Sequence, residues 1–198
     1  MTGSRAKTEL PVLAFASSVD WERWLEAQAA ASPGLWLKLA KAGSGISSVS
    51  KQEAVDAALC HGWIDGQLAK FDSQYFLVRF TPRRPKGKWS EVNRQRALAL
   101  IEAGRMRAGG VREIDRAKQD GRWNAAYAPQ SRATVPSDFQ AALDRDPGAK
   151  DNFAALDSAN RYAMLFRIAE AKRPQTRAQR IEKFVAMLRR GEAIHPKK

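Results

Sequence analysis

Cysteine and histidine are nearly missing from this chain of 198 residues: Cys60 is the only cysteine, and His61 and His195 are the only histidines. A single thiol closes no internal disulfide, so a disulfide-stapled fold is excluded and a reducing compartment fits. Without CxxC, HxxxH or HExxH spacing these three residues are too few for an ordinary zinc site, and no metal or other cofactor is expected. There is no GxGxxG and no phosphate-binding loop; Gly109-Gly110 reads as a helix start or hinge. No apolar run is long enough to span a bilayer, so no transmembrane segment is expected. The opening MTGSRAKTELPVLAFASSVDW carries a short apolar stretch that soon meets Asp20 and Glu22. It reads as neither signal peptide nor anchor, and the expected location is cytoplasmic. Acids are the remaining shortage, 21 Asp and Glu against 34 Lys and Arg, a net charge of +13. That excess points either to polyanionic partners held weakly by charge or to an ordinary solvated basic surface.

Hydrophobic periodicity supplies the rest. Residues 1–18 read as a loose arm ending near an edge strand. Trp21, Trp24, Leu25 and Ala29 recur at helical spacing, and Pro33-Gly34 ends that helix. LWLKLAK alternates as a strand with Leu35, Leu37 and Leu39 on one face. Ser50-Lys51-Gln52-Glu53 is a capping box that opens a helix with Val55, Ala58, Leu59 and Gly62 inward, and with Cys60 and His61 off that face. Runs near 64–70 and 74–81, joined by Asp72-Ser73, form a β-hairpin. Ser90 caps a helix that Gly104 stops, and a second helix over about 108–120 turns Val111, Ile114 and Ala117 inward. Residues 122–135 read as a linker. Beyond it the pattern is helical: Pro136 and Pro147 suit first turns, Tyr162, Leu165, Phe166 and Ala169 form a stripe, and Thr176-Arg177-Ala178-Gln179 is a further capping box. Ile181, Phe184, Val185 and Leu188 follow as an apolar face opposite Arg177, Arg180, Lys183, Arg189 and Arg190. The fold class is α+β: a small N-terminal lobe over 19–121 with a short antiparallel sheet and helices, then a helical lobe over 136–195.

The stretch LCHGWIDGQ, residues 59–67, concentrates the chemistry. Cys60 and His61 are helical neighbours whose side chains diverge by about 100°, so they make a poor nucleophile and base pair. A small buried thiol is the plainer reading. The stronger cluster is Trp63, Asp65, Asp72, Arg79, Arg83, Trp89, Ser90 and Asn93. Arginine forks match carboxylate and phosphate, an indole offers a flat wall, and the Ser90 helix start offers N–H donors. These residues therefore either line a pocket for a polar or anionic ligand, or lock the hairpin through Asp65 and Asp72 pairing with the arginines. No catalytic residue is identified. A binding role is preferred to catalysis, the alternatives being an enzyme using Trp63, Asp65, Arg79 and Arg83, with Asp65 as general base, or a nonspecific binder of nucleic acid or anionic surfaces.

Set in order, EAVDAALCHGWIDGQ, RFTPRRPKGKWSEVN, LIEAGRM, AGGVREIDRAKQDGRW and AKRPQTRAQRIEKFVAMLRRGE resemble the bacterial YdeI/OmpD-associated family, also labelled bacteriocin-protection proteins, over roughly residues 10 to 195. Its WIDG motif falls on Trp63, Ile64, Asp65 and Gly66, its RFTPR motif on Arg79 to Arg83, its WS-x-x-N motif on Trp89, Ser90 and Asn93, and its TR-x-x-RI motif on Thr176, Arg177, Arg180 and Ile181. The resemblance implies a role in envelope stress or in antimicrobial and bacteriocin resistance, and the expected mode of action is binding of a polar or anionic small molecule or a protein partner. It implies no reaction.

Overall fold

The computed structural model describes residues 9–196, and the chain divides into two compact units, residues 1–127 and 128–198. The first eight residues of the expected N-terminal arm lie outside the described residues.

The N-terminal unit is a four-stranded sheet with helices on one face. Its strands are β1 (Val12–Ala14), β2 (Leu35–Ala40), β3 (Trp63–Lys70) and β4 (Tyr75–Pro82), in the order β1-β2-β4-β3. The sheet is mixed, because the arm returns as β1 parallel to β2 while the other neighbours are antiparallel. The alternation of β2 sets its faces. Leu35, Leu37 and Leu39 are at most 1% exposed and stand opposite Phe80, Val78 and Phe76 of β4. Each fully buried Leu side chain contributes about 1.5–3 kcal/mol of transfer free energy.

That inner face packs against α1 (Ser18–Gln28) and α2 (Lys51–Cys60). Both capping-box hydrogen bonds at Ser50 and Glu53 are present. Helix α2 is the centre of the unit, touching α1, β3, α3 (Glu91–Glu102) and α4 (Ala108–Gln119). Surrounded in this way, it buries Ala54, Val55, Ala57, Ala58, Leu59 and Cys60. Cys60 thus lies inside, contrary to the inward stripe expected from spacing. On α4 the expected inward Val111 is 42% exposed, while Ile114 and Ala117 are buried. Glycine explains the seat of α4: a Cβ on Gly109 would stand 2.5 Å from the His61 carbonyl oxygen, and one on Gly110 would stand 2.5 Å from that of Cys60. Only hydrogen side chains let the α4 N-terminus approach the end of α2.

In the C-terminal unit a short 3-10 turn (Gln130–Arg132) precedes α5 (Ser137–Asp144), α6 (Pro147–Ala155), α7 (Ser158–Ala169) and α8 (Pro174–Arg189). Asp146 caps α6, accepting from the Ala149 N–H, with Pro147 in the first turn. On α7 the buried residues are Asn160, Met164, Leu165 and Ile168, a face rotated from the expected stripe of Tyr162, Leu165, Phe166 and Ala169. Helix α8 begins at Pro174 with no side-chain cap at Arg173. Thr176 is therefore inside the helix rather than at its start: Pro174 presets helical φ two residues earlier. Ile181, Phe184 and Leu188 then join Phe139, Leu143 and Phe153 in a second core.

Candidate functional site

Gly62 organises the region around the WIDG turn. It ends α2 with φ +78°, its carbonyl accepts a 3.0 Å hydrogen bond from the Arg83 N–H, and a Cβ on it would meet the Gly109 carbonyl oxygen at 2.6 Å. Three elements meet there: the α2–β3 turn, the end of β4 and the start of α4.

The eight residues expected to act together fall in five places. Trp63 is 1% exposed, and its indole donates to the Ala29 carbonyl at 3.1 Å while meeting Trp24 edge-on. It is a core residue. Asp72 holds the hairpin turn, its carboxylate accepting from the Gln74 and Tyr75 N–H groups at 2.8 and 2.7 Å. Asp65 pairs in register with Phe80 and so faces the helices, whereas Arg79 pairs with Trp36 on the other side of the sheet. Asp65 and Arg79 therefore do not meet. Among the described residues no ion pair joins Asp65 or Asp72 to any arginine, so the expected carboxylate–guanidinium lock of the hairpin is not formed.

A different lock takes its place. Arg83 is 7% exposed, lies over the Trp89 indole with Cζ 3.6 Å from the ring centroid, and donates to the Lys88 carbonyl at 3.3 Å. Trp89 in turn meets Trp123 edge-on at 4.8 Å. Burial lowers the Arg83 pKa to about 10, opposed by the charges of Glu113, Tyr127 and Asp65. The guanidinium thus stays charged at neutral pH, with its Nε and Nη2 unpartnered. Arg122 reinforces the loop by donating to the Gly87 carbonyl at 2.6 Å. Sequence reading missed Glu113, Arg122 and Trp123. The first stands one turn beyond the Gly109-Gly110 pair, and the others lie in what reads as linker.

The remaining site residues, Asp65 and Asn93, do come together. They line a cleft of about 400 Å³ with Lys51, Gln52, Val55, Val92 and Arg96, within the ~300–1,000 Å³ range of small-molecule sites. The first turns of α2 and α3 both border it. Ser90 caps α3, its hydroxyl accepting from the Asn93 N–H at 3.1 Å, which fixes the Asn93 backbone at the rim. Arg96 is tethered to Asp56 at 3.2 Å and to Gln52 at 2.7 Å. By contrast the Asp65 carboxylate, the Asn93 amide and the Lys51 ammonium have no hydrogen-bond or ion-pair partner among the described residues. The cleft offers a carboxylate acceptor, an amide and two cations, with two valines as apolar wall.

Elsewhere the chemistry is quiet. Burial pushes the Cys60 thiol pKa up and the His61 imidazole pKa down, leaving both neutral at physiological pH. Among the described residues no cluster of His, Cys, Asp and Glu could hold a metal ion, and no helix is long and apolar enough to cross a membrane. On α8, Arg177 donates to both Asp138 oxygens at 2.5 and 2.8 Å and to the Ile168 carbonyl at 3.0 Å, and Arg180 donates to the Arg167 carbonyl. The TR-x-x-RI arginines therefore close the C-terminus of α7 instead of forming a free basic stripe.

An α+β unit with a polar cleft, followed by a helical unit closed by arginine caps, is the class these features define. The chain belongs to the family described as Domain of unknown function (DUF8412), whose model matches residues 13–113, about half of the chain. Residues 132–191 match the family described as Bacteriocin-protection, YdeI or OmpD-Associated, so the C-terminal unit carries that domain. The WIDG, RFTPR and WS-x-x-N residues lie under the first match and the TR-x-x-RI residues under the second. No curated protein and no solved structure matches the chain.

Proposed function

We propose that this protein serves in antimicrobial or bacteriocin protection as a cytoplasmic binding protein, with the cleft at Asp65 taking a small polar ligand that carries an anionic group. One observation carries the reading: Asp65, Asn93 and Lys51 present unpartnered polar groups around a single cleft. Asp65 and Asn93 are half-buried and Lys51 is exposed, so all three are open to a ligand that takes the place of water. Lys51 and Arg96 suit its anionic group, and Asp65 suits a hydroxyl or ammonium donor. The family of the C-terminal unit supports the protective role, and the lone buried thiol fits a reducing compartment. The Arg83–Trp89 stack fixes the loop that leads into α3, whose first turn borders the cleft.

The test is a thermal-shift and calorimetric screen of the full chain against amino acids, short acidic peptides and sugar phosphates, paired with bacteriocin challenge of a deletion strain. A bound ligand whose affinity falls tenfold or more in Asp65→Asn, together with loss of protection in the same variant, is the expected result. Wild-type binding and protection by Asp65→Asn would sink the reading.

A further inference from the structure

The outer face of the sheet is a second surface with its own chemistry. Among the described residues, Trp36, Lys38, Tyr75 and Arg79 take no part in the core that the helices share with the inward strand residues. The outward positions on β2 and β4 hold two aromatic and two cationic side chains, Trp36 and Tyr75 with Lys38 and Arg79, beside Ala40, Thr81 and the buried Leu77. Trp36 stands in register with Arg79 across β2 and β4, and both are partly exposed. Two residues along β2, the Lys38 ammonium lies 4.0 Å from the Tyr75 ring centroid and 4.6 Å from that of Phe71, which is 47% exposed. No Asp or Glu occupies an outward position of the four strands, because Asp65 faces inward with Phe80. A chain with a net charge of +13 thus gathers flat rings and cations, without acids, on one sheet face.

We infer that this face binds single-stranded nucleic acid. Flat rings on a sheet stack on unpaired bases, and interleaved cations take the phosphates. Lys38 can take a phosphate beside the Tyr75 ring, since its ammonium leaves the rings when a phosphate competes for it. A duplex hides its bases and would engage the cations alone. An acidic peptide needs the charge but gives no reason for the rings, and an anionic membrane, whose interface also takes aromatic side chains, is told apart by the vesicle arm of the test. The inference does not rest on the Asp65 cleft, which lies on the opposite side of the sheet.

The test uses the full chain and fluorescently labelled single strands of about twelve nucleotides, within the span of one binding platform. Mixed-sequence RNA and DNA strands, the matching duplexes and phosphatidylserine vesicles are compared near physiological salt. Single strands of RNA, DNA or both are expected to bind more tightly than duplex, and the RNA and DNA arms show which source is preferred. Trp36→Ala and Tyr75→Ala should each weaken binding about tenfold, while Trp36→Phe retains most of it. Arg79→Ala should flatten the dependence of log affinity on log salt by about 0.7, the loss of one phosphate contact. Arg112→Ala removes the same charge from the exposed surface of α4 and should change little. The inference is overturned by undiminished binding in a folded Trp36→Ala, by equal losses in Arg112→Ala and Arg79→Ala, by a preference for duplex, by binding to vesicles alone, or by no binding.

Discussion

Arg83 lies over the indole of Trp89, guanidinium carbon 3.6 Å from the ring centroid, and Trp89 meets Trp123 edge-on. Cation and indole together anchor the basic loop between β4 and α3. Trp89→Ala removes the ring and leaves a buried charge facing a cavity. It should cost about 3–5 kcal/mol, read as a fall in the urea midpoint. Arg83→Met keeps the contact and removes the charge, and should cost clearly less. Equal losses in the two variants would show that the stack has no such asymmetry.

Gly109 touches the end of α2 through backbone alone. Its missing Cβ would lie 2.5 Å from the His61 carbonyl oxygen, so Gly109→Ala must push α4 away. A loss of about 1–3 kcal/mol is expected, seen as a fall in Tm of roughly 2–4 °C per kcal/mol. An unchanged melt would mean that α4 does not sit as described.

Asp65 has no hydrogen-bond or ion-pair partner among the described residues and acts on Arg83 only at a distance, so Asp65→Ala should change stability by under about 1 kcal/mol. The same variant should lose ligand binding and protection. A loss of several kcal/mol in a chemical denaturation curve would instead place a paired carboxylate there.

Cys60 is 4% exposed and its thiol is held neutral by burial. Disulfide exchange reagents should label it only after denaturant is added, because the thiolate is the reacting species. Cys60→Ala should leave protection intact. Rapid labelling of the native protein would contradict the packing.

Arg177 donates to both oxygens of Asp138 and holds its carboxyl below the usual carboxylate range. A lowered folded pKa stabilises at pH values above the unfolded value, about 3.9, and the contribution is lost as pH falls through the folded value. Asp138 is 44% exposed in its side chain, so the pair is worth only about 0.5–1 kcal/mol. Urea titrations at neutral pH and near pH 3 should show a smaller acid loss in Asp138→Asn than in wild type, and equal losses would remove the pair from the account.

Local chemistry determined much of this protein. The alternation of Leu35, Leu37 and Leu39, the capping box at Ser50 and Glu53, the hairpin turn at Asp72, and the stop at Gly104 each depend on neighbours within a few residues. They were therefore legible, and so was the α+β class. What rotated, merged or separated did so through contacts distant in the chain. Cys60 is buried because α4 closes over it, and Met164 and Ile168 replace Tyr162 and Phe166 on α7 because α8 chose the face. Sequence clustering brought Asp65 and Arg79 within fifteen positions, but strand pairing put them on opposite sides of the sheet. Glu113, Arg122 and Trp123 reached the Arg83 loop only through the glycine contact at Gly62 and the return of the chain to Tyr127. Side-chain alternation is local, whereas register and helix docking are set by the whole core, and the cleft depends on both.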